Sequence, residues 1–254
     1  EIAVYQINEL HKAQKRDDKF HIIKSSKDLG DLITLRKEDK DHIGGILCIE
    51  GIHCIADSIE RIDDLYNRGV RIVGLAHFFD NQYSGAQSGI EKYGLTLKGI
   101  ELLQRMDSLG IIVDLAHSSL NTIDDVLNHY SKPPIVSHVG CTQVLKSTRN
   151  LNDEYLRKII KAGRLIGVMF FNPEEWKQIS ADDIIDNILH LIQLNNGSVK
   201  GIALGSDYDG MTIVPLDISD LNIITHKLLE KGINENDIKL IMGENVRNFL
   251  LKYL

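Results

Sequence analysis

The strongest constraint on this chain is a series of short, nearly continuous Ile/Val/Leu runs separated by amphipathic stretches of helical period. The runs are FHIIKS (from Phe20), GGILCIEG (from Gly44), VRIVGLAH (from Val70), GIIVDLAH (from Gly110), PPIVSHV (from Pro133), RLIGVMFF (from Arg164) and GIALGSD (from Gly201). A half-exposed strand alternates polar and apolar residues. Most of these runs do not, so they read as strands covered on both faces.

The stretches between them carry helix signals at their ends. Ala56–Arg68 places Ile59, Ile62 and Leu65 on one face and stops at Gly69. Thr96 is placed to cap a segment carrying Ile100, Leu103 and Met106, which stops at Gly110. Asn152, followed by Asp153 and Glu154, opens a helix closed by Gly163; Ser180 opens another bearing Ile184, Ile185, Ile188 and Ile192.

Strand–helix alternation builds parallel βαβ units. Seven such runs in 254 residues predict one α/β domain over residues 1–254, a (β/α)8 TIM-type barrel with seven of its eight strands recognisable, which the resemblance given below numbers 2 to 8. An open doubly wound sheet lacks support, because no Gly-rich phosphate loop follows an early strand. The formal net charge of -7, with acids and bases interspersed, argues against nucleic acid or an anionic membrane surface as partner. No apolar stretch approaches the roughly 20 residues of a membrane-spanning helix. Cys48, Cys54 and Cys141 are too scattered for a disulfide framework, which makes a cytoplasmic location the expectation. An export signal upstream of Glu1 stays open.

Barrels of this kind gather their chemistry at the C-terminal ends of the strands. Reading only those ends gives Glu50, His77, His117, His138 and Asp207. Any one of them alone is an ordinary loop or turn residue. Five ionisable groups around one barrel mouth are different, because without a ligand they suffer desolvation and repulsion. A carboxylate with imidazoles is a donor set suited to Zn²⁺ or a similar first-row ion. The remaining histidines fit this pattern poorly. His11, His21, His42, His129 and His226 are expected at the surface, His53 beside Glu50 but outside the site, and His190 packed in an apolar helix. Trp176 is expected to pack in a loop.

Taken in order, IEG at Glu50, GVRIVGLAH to His77 and YGLTLKGIELLQRMDSLGIIVDLAHSS to His117 resemble the membrane (renal-type) dipeptidases, peptidase family M19 of the amidohydrolase superfamily. PPIVSH to His138, STRNLNDEYL around Arg149, GIALGSDYDG at Asp207 and GENVRNFL near the end extend the resemblance over nearly the whole chain. It implies a zinc-dependent dipeptidase that cleaves small dipeptides through a hydroxide bridging two zinc ions. Glu50 would bridge the ions, and His117 and His138 would bind the second. His77 would donate to the substrate carbonyl, Asp207 would carry the proton to the leaving amine, and Arg149 would clamp the dipeptide's terminal carboxylate. The long segment Phe78–Gly94 would line or cover the substrate. Tyr208 and Phe171 would stand near the mouth, and a homodimer is an assembly the chain admits.

The family holds its first ion with an H-x-D on barrel strand one, and no H-x-D or H-x-H occurs here. FHIIKS matches strand two, and Glu1–Arg16 matches the helix before it. The expectation is therefore an upstream segment carrying strand one, and weak first-site binding with impaired turnover for these residues alone. Two other readings stay open: a related metal-dependent lactonase or amidohydrolase, and a catalytically inactive barrel used for binding.

Overall fold

The computed structural model describes residues 1–163, 165–171, 179–210 and 213–254, so Arg164 and Trp176 lie outside the described residues. The chain divides into two compact units, one of residues Glu1–Pro134 with Phe249–Leu254 and one of Ile135–Asn248.

The first unit begins with α1 (Ile2–Arg16), β1 (Phe20–Ile22), α2 (Ser26–Glu38), β2 (Ile43–Gly45) and β3 (Leu47–Ile49). A 3-10 turn at Ile52–Ile55 leads into α3 (Arg61–Asn67), β4 (Val70–Gly74), α4 (Leu97–Leu109), β5 (Ile112–Asp114) and α5 (Leu120–His129). All its strand pairs are parallel: β1 with β2, β3 with β4, and β4 with β5. The run read as one strand from Gly44 is thus two, since its first half pairs with β1 and its second with β4. Gly44 allows α2 to lie close, because a side chain there would strike Leu32. The helix expected from Ala56 begins only at Arg61. Ala56 takes a positive φ of 50°, which breaks helical geometry, and Ile62 and Leu65 still turn into the core. Thr96 caps α4 through the Gly99 N–H, and Gly110 ends it in the left-handed conformation, both as the sequence suggests.

The second unit runs through β6 (Ile135–Val139), α6 (Asp153–Lys161), β7 (Leu165–Met169), α7 (Ala181–Leu194) and β8 (Ile202–Gly205). It ends with α8 (Asn222–Glu230), α9 (Glu235–Lys239) and the start of α10 (Asn245–Tyr253), whose residues from Phe249 on belong to the first unit. β7 pairs in parallel with both β6 and β8. Asn152 and Ser180 cap α6 and α7, the latter in a reciprocal box with Asp183. Ile184, Ile185 and Ile188 are buried, as their spacing predicts. In GENVRNFL, Asn245 donates from Nδ2 to the carbonyls of Val199 and Ile202, both at 2.8 Å, tying the start of α10 to β8. No described helix is long and apolar enough to cross a membrane.

Candidate metal centre

Within the first unit, three consecutive strands each release an ionisable residue just past their C-terminal ends: Glu50 after β3, His77 after β4 and His117 after β5. Parallel pairing puts those ends on one side, so the side chains converge. Their ligand atoms all lie within 4.8 Å of one another, the one such grouping of three among the described residues. His117 Nε2 is 2.9 Å from Glu50 Oε1, whereas His77 Nε2 is 3.8 Å from Glu50 Oε2, beyond hydrogen-bond length. The two imidazoles meet edge to face with ring centres 4.5 Å apart.

Local backbone chemistry holds these groups in place. Gly51 has φ 87°, and a Cβ there would come within 2.7 Å of His53 Nδ1 and 3.0 Å of His77 Cβ. Only glycine therefore suits the turn that directs Glu50 and leaves room for His77. His117 itself takes φ 64°, an unusual state for a residue with a side chain. The segment after His77 sustains that state: the Gln87 N–H donates to the His117 carbonyl at 2.7 Å, and Ala86 bridges Ser118. Strain held by surrounding structure is a common property of functional positions.

The segment 78–94 is built around two side chains. The Asp80 carboxylate accepts from the backbone N–H groups of Ala86 at 2.7 Å and Glu91 at 2.9 Å. Partial burial opposes ionisation of Asp80, but hydrogen bonds from Ala86, Glu91, Lys92 and Ile90 outweigh it and hold its carboxyl below the ordinary carboxylate range. Asn81 donates to the Leu75 carbonyl at 2.8 Å and accepts from the Tyr83 N–H at 2.9 Å. Phe78 packs against His77 with the rings tilted and their centres 4.0 Å apart, a contact that sequence reasoning did not single out. Its only signal is its place directly after the strand-end histidine.

A half-exposed carboxylate beside two imidazoles fits a first-row divalent ion with open positions for water or substrate. Cys48, exposed and two residues before Glu50, is not part of this grouping.

In the second unit, His138 lies on β6 with its Nδ1 2.8 Å from Ser137 Oγ, a contact that orients the ring. Arg149 is only 6% exposed and donates from Nη2 to the His138 carbonyl at 3.3 Å, so the structure brings these two together. Asp207 follows β8 in a tight turn, with φ 58° and its carbonyl accepting from the Gly210 N–H. Tyr208, next to it, meets Phe170 edge to face at 5.9 Å. His190 does more than pack, since its Nε2 is 2.7 Å from Asp153 Oδ1. His53 is exposed on the 3-10 turn and stands outside the metal-competent grouping.

The sequence profile of the family described as membrane dipeptidase (Peptidase family M19) matches residues 2–250. An uncharacterised dipeptidase of Schizosaccharomyces pombe is 30% identical over 218 residues, which are 82% of this chain and 52% of the relative. The chain thus spans about half the length of that protein. The probable dipeptidase PvdM of Pseudomonas aeruginosa superposes with a TM-score of 0.86 at 17% identity, over 98% of this chain and 78% of that one. A metallo peptidase from Rhodobacter sphaeroides, liganded with a phosphinate mimic of the dipeptide L-Ala-D-Ala, gives 0.78 at 21% identity, over 93% of this chain and 69% of that one. Likeness at this level shows the fold, which is α/β of the TIM-barrel class. With a profile matching nearly every residue, the chain belongs to the membrane dipeptidase family, Peptidase family M19.

Proposed function

We propose that this chain belongs to the hydrolase domain of a zinc-dependent dipeptidase acting on the peptide bond of small dipeptides. The observation that carries the reading is the convergence of Glu50, His77 and His117, whose ligand atoms lie within 4.8 Å of one another. Membership of a family described as membrane dipeptidase supports it, as does the dipeptide mimic bound by the Rhodobacter sphaeroides relative in fold.

Glu50 and His117 form the tight pair and would hold the ion. Zinc, when bound, lowers the pKa of water towards about 7 and polarises a carbonyl. In the full reading two ions would be bound, and His138 would supply a further ligand. His77, farther from Glu50, donates a hydrogen bond to the scissile carbonyl oxygen as negative charge grows there. Asp207 accepts a proton at its carboxylate and returns it to the leaving amine. Arg149 binds the dipeptide's terminal carboxylate, a task for which a planar fork of donors is suited.

Metal content and hydrolysis of L-Ala-D-Ala, measured with and without Zn²⁺ before and after Glu50→Gln, test this reading. The expected result is zinc-dependent turnover that the substitution abolishes together with tight zinc binding. Zinc binding and turnover indifferent to Glu50→Gln would sink it.

A further inference from the structure

We propose that Phe78 and Phe79 form an apolar platform for the side chain of the dipeptide's N-terminal residue, selecting substrates with a large aliphatic or aromatic residue there. The proposal rests on the dipeptidase reading and deepens it.

Phe78 and Phe79 are 56% and 77% exposed, and their rings meet edge to face with centres 6.4 Å apart. Single exposed apolar residues are common and need no explanation. These two are consecutive aromatics, and they continue directly from the metal-competent grouping. The Phe78 ring is centred 4.0 Å from that of His77 and 6.0 Å from that of His117. Aromatic side chains beside a few convergent polar groups are the usual lining of a small-molecule site.

The platform also has a fixed base. The next two residues, Asp80 and Asn81, are the anchors of the segment, bonded to Ala86 and Glu91 in one case and to Leu75 and Tyr83 in the other. Phe78 and Phe79 are thereby held between a strand end and a hydrogen-bonded turn, which keeps the rings presented at low entropic cost to a ligand. An aromatic face so placed gains from covering an apolar side chain and offers nothing to a charged one.

The choice of the N-terminal residue follows from His77. In the proposed reaction His77 donates to the scissile carbonyl, and that carbonyl belongs to the N-terminal residue. The Phe78 ring packed against His77 therefore borders that residue's side chain rather than the C-terminal one.

The test is the ratio of kcat/KM for L-Phe-L-Ala to that for L-Ala-L-Ala, on the zinc-loaded protein and on Phe79→Ala, Phe78→Ala and Phe79→Leu. Zinc content and sedimentation are measured on each. The ratio is expected to exceed one in the unsubstituted protein, to fall roughly tenfold in each alanine variant, chiefly through KM, and to be largely restored by leucine. A ratio that does not move while Ala-Ala is still cleaved overturns the platform and leaves the dipeptidase reading standing. An unmoved ratio with an altered sedimentation coefficient overturns it in favour of a protein–protein contact at these rings. Zinc-loaded protein that cleaves neither dipeptide overturns both.

Discussion

Glu50 Oε1 lies 2.9 Å from His117 Nε2, although β4 and all of α4 separate them in sequence. The contact exists because β3, β4 and β5 run parallel as neighbours, so residues just past their ends share one side. A carboxylate and an imidazole side by side, both able to ligate through nitrogen or oxygen lone pairs, form the nucleus of the proposed ion site.

His117→Asn tests that pair without breaking the backbone. Asparagine tolerates the left-handed conformation that His117 adopts at φ 64°, so the turn is retained. Zinc affinity should fall at least about 100-fold, a loss at the upper end of that seen even for outer-sphere changes. Isothermal titration with Zn²⁺ and a thermal melt check the two halves of this expectation.

Gly51→Ala should damage the site from behind. At φ 87° the alanine is strained, and its Cβ would crowd His53 and His77. The expected cost is about 1–3 kcal/mol of stability, with a drop in turnover as His77, the proposed donor to the substrate carbonyl, is displaced. Denaturant unfolding of the two proteins side by side measures the first effect.

Asp80 should make the segment 78–94 sensitive to acid. Its folded carboxyl titrates below its unfolded value, despite partial burial, because backbone N–H groups bond the charged form. The stabilisation is therefore present above the unfolded value near about 4 and is lost as pH falls through the lower folded value. Asp80→Asn should remove that acid-dependent component and cost about 2 kcal/mol at neutral pH, as charge-assisted hydrogen bonds are lost. Amide hydrogen exchange at Ala86 and Glu91, followed from neutral pH into the acid range, reports it directly.

Arg149→Lys separates recognition of a carboxylate from bulk charge. Lysine retains the charge but lacks the fork, so KM for dipeptides should rise about tenfold or more. The same substitution should change little for dipeptide amides, which carry no terminal carboxylate. Equal effects on both would assign Arg149, 6% exposed and bonded to the His138 carbonyl, to structure alone.

Much of this protein is determined by local sequence. Covered strands read as unbroken apolar runs, and Thr96, Asn152 and Ser180 cap helices because a short oxygen-bearing side chain satisfies a terminal N–H in any context. Glu50, His77 and His117 stand out as strand-end residues for the same local reason. Other features depend on non-local contacts. The run from Gly44 divides between two partners, and α3 starts late behind a positive φ at Ala56. His190 meets Asp153, and Phe78 packs on His77 above a segment organised by Asp80. Pairing register, ring stacking and the separation of 2.9 Å against 3.8 Å around Glu50 arise only when distant segments meet. Periodicity and capping are properties of a short stretch of chain, whereas those contacts belong to the packed whole.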